Sequence, residues 1–443
     1  MNQRVDMKNK KSEKGQIIVI LALSMVAILA ITALAIDGSL VYNQRRTDQS
    51  TADSAAMAGA GAAANLLKEI KPSDFSCGSG TGATASTAAV LAARASAEKD
   101  GVTLPNYNSL ADLLTAKHGV RVECGGPDDT GSKYLDVMVM VSSDSETTFA
   151  KVISVNTLSS TVQSIARVYP IQPLALGNGL VSCSDLCSTK QGGIEFGGTG
   201  FTFINAAGVF SNSCIKAASS STEVTVVGGE IQYMTDCFQC DTANMVPDPV
   251  PAEGQIDCEN MMAPPTCTDA PYVAAASSGT LDPGNYTGGI NTGNGDTLTL
   301  NPGLYCIKGG MSNNAKSILY GNGVTLYFLS GDVTLNTNDK DYEPYGVELY
   351  APDCYGLPTC GLLMYFDQSY SPTVKINGGA KNSFEGTIFG PTANITLNGG
   401  AATSTFNTQI VANWIEVTGK SQLIMDLDDS NTSKKPASLS LIK

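Results

Sequence analysis

The sequence predicts an α+β chain that is mainly β: a transmembrane helix with a small α/β unit, then a parallel β-solenoid. Three observations predict it. A basic stub precedes twenty uncharged residues, 17–36, in which only Ser24 and Thr32 are polar. An Ala-rich polar stretch then continues without proline as far as Ile70. Beyond residue 180, short β-prone runs separated by Gly, Asn, Thr and Ser recur with a period near 20.

At ~1.5 Å per helical residue, twenty residues reach ~30 Å, the hydrocarbon thickness of a bilayer. Arg4, Lys8, Lys10, Lys11 and Lys14 precede the span, against Arg45 and Arg46 just after it. That asymmetry places the stub 1–16 in the cytoplasm and the bulk of the chain outside, in the cell envelope or at the surface. A cleaved secretory signal would have a shorter apolar region and a small-x-small site. Asp37-Gly38-Ser39-Leu40 makes a poor site, so a retained anchor is expected. Alanine has the best helix propensity and leaves a thin surface that a second helix can approach closely. The Ala-rich stretch 39–70 therefore reads as a helix that packs on a partner or self-assembles.

Lys14-Gly15-Gln16 before the span, Ala35-Ile36-Asp37-Gly38 at its end, Arg45-Arg46, and Ala52-Asp53-Ser54-Ala55-Ala56-Met57-Ala58-Gly59-Ala60 form a distinctive combination. It resembles the N-terminal region of TadE/TadG-like proteins of the Flp, or tight-adherence, pilus assembly machinery, over about the first 65 residues. The resemblance implies a pilin-like domain over 37–170, a membrane anchor, and pilus machinery or pilus subunits as partners. Gly15 and Gln16 are the residues at which prepilin-type processing would fall. Such processing favours a glutamate five residues after Gly15, where Ile20 stands, so the resemblance points to a TadG-like anchor rather than a filament subunit.

Within 71–170, residues 88–99 and 109–117 are helical in composition, 120–124 and 134–141 read as strands, 147–153 as a helical turn and 161–169 as a last strand. Cys77 and Cys124 are the only cysteines there and are expected to pair. All twelve cysteines follow the span, an even number that reads as disulfides in an oxidising space. Local closures Cys183–Cys187 and Cys354–Cys360 are expected because each brackets a tight turn. Cys237-Phe238-Gln239-Cys240 has zinc-like spacing without a matching second pair, and His118 is the only histidine, so no metal and no cofactor is expected.

In the domain expected at 171–430, Val374-Lys375-Ile376-Asn377-Gly378-Gly379-Ala380 recurs 21 residues later as Ile395-Thr396-Leu397-Asn398-Gly399-Gly400-Ala401. Ile415-Glu416-Val417-Thr418 follows after a further 20. Residues 323–328 resemble 346–351 and 361–366, and Pro283-Gly284-Asn285-Tyr286 is echoed by Pro302-Gly303-Leu304-Tyr305. A period near 20 suits one solenoid coil, with Ile376, Leu397 and Val417 inward. A β-sandwich is the rival. Residues 191–232 read as earlier coils, 242–275 as a Cys/Pro-rich insertion, and 431–443 as a frayed polar tail.

The net charge of −14 repels nucleic acid, which excludes that class of partner. One histidine leaves a Ser-His-Asp or Cys-His mechanism only His118, in a loop. The reading is a non-enzymatic, membrane-anchored structural or adhesive protein that binds surface polysaccharide or protein. A β-helix carbohydrate-active enzyme is one alternative, but Asp332, Asp353, Asp367 and Glu385 do not fall at one repeat offset. A surface-layer or ion-binding module is the other, but no Asp-x-Asp-x-Asp loop supports it.

Overall fold

A computed structural model describes residues 16–68, 75–76, 80–126, 133–187, 192–198, 200–240, 243–336, 346–353, 359–378, 382–399, 404–419, 423–428 and 431–442. The chain divides into two compact units, Met1–Pro170 with Ala437–Lys443, and Ile171–Pro436.

The first unit is organised by helix α1, Gln16–Leu67. Ala52, the adjacent pair Ala55 and Ala56, Ala60, Ala63 and Leu67 recur at steps of three or four residues, share one helix face and are fully buried. Ala85, Ala89, Ala93 and Ala97 of α2, Gly80–Lys99, form the facing stripe. Methyl-only faces let two helices pack closely. A short α3, Leu110–Ala116, leads into an antiparallel sheet of β1, Gly119–Gly125, β2, Tyr134–Glu146, and β3, Thr157–Tyr169. Period-two alternation turns Leu135, Val137 and Val139 of β2 toward the alanine faces, with Val162, Ala166 and Val168 of β3 beside them.

The end of the chain does not fray as expected. Lys434–Lys435 pairs with Gln172–Pro173 in the second unit, and Ser438–Leu441 adds antiparallel to β3 in the first. The free edge of β3 offers unpaired N–H and C=O groups, and a short extended tail satisfies them.

In the second unit the coils stack through parallel ladders, and each coil contributes three strands. Thr297–Leu300, Gly303–Lys308 and Met311–Asn313 lie under Ile318–Asn322, Val324–Ser330 and Val333–Asn336. The repeats read from sequence are stacked neighbours: Val374↔Ile395↔Ile415 and Ile376↔Leu397↔Val417, all buried. At the end of this face Asn377 donates to Asn336 at 2.7 Å and Asn398 donates to Asn377 at 2.6 Å, an amide ladder that pins the register. Phe328 stacks on Phe366 and Phe384 on Phe406, with centroids 4.9 and 5.4 Å apart.

One apparent repeat is not a stack. Val324–Ser330 pairs with Leu362–Phe366, whereas Gly346–Tyr350 lies on Ile318–Asn322, so 346–351 belongs to a different face from 323–328. The Pro-Gly-x-Tyr echo is a local device instead. Tyr286 and Tyr305 each donate to the carbonyl four residues back, Asp282 and Asn301, and their rings stack at 6.0 Å.

Coil order in space departs from coil order in sequence. Residues 178–182, 208–211, 231–233 and 250–251 stack in succession, and the chain then leaves the stack. It re-enters at Val273–Ala274 and winds toward its own beginning, so that Leu180 and Ile194 lie beside Ile410 and Ile415 of the last coil. The expected insertion 242–275 thus contains strands Asn244–Val246 and Val250–Pro251 of the stack, and a strap, 252–272. The strap covers an outward apolar ladder of Cys306, Tyr327, Tyr365, Phe389, Val411, Val181 and Phe210. Strands buried on both faces read as continuous apolar runs, as Leu362–Phe366 does.

Candidate functional site

Every large apolar side chain of α1 from Ile18 to Leu34 is more than half exposed, while the same helix from Ala52 onward is core. One helix therefore presents a bare apolar rod and then a packed spine. Between them Asp37 is buried, and its carboxylate accepts N–H bonds from Thr148 at 2.8 Å, Phe149 at 3.0 Å and Ala150 at 2.7 Å. Those amides open the 3-10 turn Ala150–Ile153 in the loop joining β2 to β3. Burial pushes the Asp37 carboxyl up, but the three backbone donors outweigh it and hold it below the usual carboxylate range.

Asp48 repeats the device. Its carboxylate accepts from Gln44 at 2.9 Å, from Ser160 at 3.0 Å and from Ser143. A Cβ on Gly59 would lie 2.8 Å from the Ala89 carbonyl oxygen and 2.9 Å from Val137 Cγ1. Asp37, Asp48 and Gly59 are spaced by eleven residues, about three turns, so the helix presents them on one face. That spacing was visible in the sequence, but which carboxylates are buried was not.

Residues 15–63 match the family model described as putative Flp pilus-assembly TadE/G-like. This segment is TadE/G-like. It covers the apolar rod and the three face residues, and ends within α1. No curated protein and no solved structure matches the chain. The TadE/G-like segment and the bare apolar helix fit a membrane-anchored protein of pilus assembly.

Gln16 begins α1, while Gly15, Cys77 and Cys354 lie outside the described residues. The ten described cysteines are all in disulfides, Cys124 and Cys360 among them. The local closure Cys183–Cys187 does not form. Cys183 pairs with Cys258 of the strap and Cys187 with Cys214, because the solenoid brings the next coil and the strap closer than the turn brings its own ends. Cys267–Cys306 ties the strap near its far end, and Cys237–Cys240, the pair with zinc-like spacing, is a disulfide too. His118 bridges backbone: Nδ1 accepts from Ser142 N–H at 3.2 Å and Nε2 lies 3.0 Å from the Thr103 carbonyl.

On the solenoid an open dish of about 350 Å³ is lined by Tyr320, Asn322, Glu348, Tyr350, Asp353 and Glu385. The ladders build it, since Tyr320 sits beside Glu348, and Asn322 beside Tyr350, which sits beside Glu385. The two rings meet edge-on at 6.4 Å. Burial, then the neighbouring Asp428 and Asp353, push the Glu385 carboxyl up. Of the carboxylates considered for catalysis, Asp353 and Glu385 meet here. Asp332 instead accepts from Thr373 N–H at 2.8 Å, and Asp367 from the Tyr327 hydroxyl at 2.6 Å. Rings beside carboxylates and an amide suit stacking on, and hydrogen bonding to, a polar ligand.

Proposed function

We propose that the chain is a membrane-anchored structural protein of a Tad/Flp pilus system that exposes a disulfide-stapled solenoid outside the membrane and acts by binding, not catalysis. The observation that carries this reading is a single helix, TadE/G-like over 15–63, that is apolar and bare in its first half and core in its second. The basic stub supports an N-terminus on the cytoplasmic side. Partners are then pilus subunits or the assembly machinery, with surface polysaccharide or protein as ligands of the solenoid. The polar dish around Tyr320 and Tyr350 supports the adhesive part.

Sorting the full chain between washed membranes and sheared pili tests the assignment. It should remain with the membranes, protected from external protease only over its first residues, and its deletion should reduce pilus display or surface attachment. N-terminal sequencing starting at Gln16 would mean pilin-type processing. Cleavage of a polysaccharide by the purified chain, abolished by Glu385→Gln without unfolding, would replace this reading with an enzyme.

A further inference from the structure

We propose that the tip of the β2–β3 hairpin, residues 147–156, is a second membrane contact, seated at the boundary between headgroups and acyl chains beside the point where α1 leaves the bilayer. The inference rests on the anchor reading above. Asp37 follows the last residue of the apolar stretch 17–36, and its carboxylate is bonded to the N–H groups of Thr148, Phe149 and Ala150. The tip is therefore held within hydrogen-bonding distance of the end of the span, whatever the tilt of the helix.

The tip bares apolar side chains there, among the exposed Thr148, Lys151, Ser154 and Asn156. Val152 is 87% exposed, Phe149 43% and Val155 37%. On α1 at the same level Ile36 and Leu40 are also exposed, and Tyr42 is 69% exposed. Tyr42 lies five residues beyond Asp37, about 7.5 Å along the axis. That places its ring in the headgroup layer of about 5–8 Å, where tyrosine is enriched. Arg45 and Arg46 follow one turn later, with stems long enough to reach lipid phosphates.

Much of the tip's backbone is already paired, which lowers the cost of entering a region poor in water. Thr147 N–H bonds the Asn156 carbonyl at 3.0 Å, Val152 N–H that of Phe149 at 3.0 Å, Ser154 N–H that of Lys151 at 3.0 Å and Val155 N–H that of Ala150 at 3.1 Å. Asp37 takes the three amides before them. The Thr147 hydroxyl closes the loop onto the Val155 carbonyl. Lys151, the one cation of the tip, pairs with Glu146 at 3.1 Å on a stem long enough to keep its charge in the headgroups.

The full chain in phosphatidylcholine–phosphatidylglycerol vesicles, with and without lipid brominated near the top of the acyl chain, tests this. Val152→Trp replaces a surface side chain, so the fold tolerates it, and the parent's emission, from Trp414, is subtracted. Bromolipid should quench the new indole by about half, as for a ring ~5–10 Å below the headgroup boundary. Leu29→Trp, at mid-span, is the companion. If Leu29→Trp is quenched and Val152→Trp stays open to aqueous acrylamide, the anchor reading stands and this proposal falls. If Leu29→Trp is not quenched, the anchor reading itself fails. Shielding of Val152→Trp from acrylamide that grows with protein concentration, without bromine quenching, would assign the tip to a second copy and overturn the proposal.

Discussion

Where α1 is buried it offers Ala52, Ala55, Ala56, Ala60, Ala63 and Leu67, whereas the solenoid interior is filled by Ile, Leu, Val and stacked Phe. Apolar burial is worth about 25 cal/mol per Å², so an alanine face gains little per residue. The first unit makes up the difference with close approach at Gly59 and with buried carboxylates, Asp37 and Asp48, each taking several donors. Each of these positions makes contacts that no stacked copy duplicates. In the solenoid each apolar side chain touches like ones above and below, so stability is spread along the stack. Small faces make single positions critical; repetition makes them redundant, except where a change inserts charge.

The largest effect should come from defeating that redundancy. Leu397→Asp puts a carboxylate between Ile376 and Val417, fully buried, and should cost more than about 4 kcal/mol. Limited proteolysis should then digest the solenoid while the chain stays in the membrane fraction. A protected solenoid would mean that coils absorb even charge.

Next comes the strap. Replacing Cys267 and Cys306 with Ser opens a link across 39 residues, for which the chain-entropy account gives up to about 4 kcal/mol. The guanidinium midpoint should fall, with the outward ladder of Tyr327, Tyr365 and Phe389 losing its cover. An unchanged midpoint would show that the ladder holds the strap without the bond.

In the first unit Gly59→Ala should cost about 1–3 kcal/mol, because its Cβ meets a carbonyl oxygen and Val137. Gly61→Ala, on the same helix with nothing within 4 Å of the added Cβ, gauges the propensity part alone, a gain of about 1 kcal/mol. A similar gain for Gly59→Ala in thermal unfolding would argue against close packing there.

The most local effect is at Asp37. With its carboxyl held below the usual range in the folded chain, its contribution is present above about pH 4 and fades as pH falls through the lowered value. Protection of the Thr148, Phe149 and Ala150 amides, corrected for the intrinsic exchange rate at each pH, should fall in acid, and in Asp37→Ala at every pH, while that of β2 amides distant from the loop is unmoved. A uniform fall would mean that Asp37 holds the whole unit, not one loop.

The apolar span, the basic stub and the inward alternation at Ile376, Leu397 and Val417 were legible in the sequence, because each depends only on spacing along the chain. The dish was half legible: Asp353 and Glu385 drew attention as carboxylates, but their company with Tyr320 and Tyr350 needed the ladder register. The pairing of Cys183 with Cys258 was hidden, since a tight turn looks favourable until the competing strap is known to pass closer.

By itself, then, the sequence determined which segments are apolar, which are helical and which side of each strand faces inward, all consequences of local periodicity. Only the tertiary structure decided that the last coil lies on the first, that residues 252–272 run outside as a strap, that the tail completes an edge of β3, and that Asp37 grips a loop more than a hundred residues away. A period states which residues are equivalent but not which copies are neighbours. That choice falls to long-range burial of exposed edges and apolar faces, which no local pattern records.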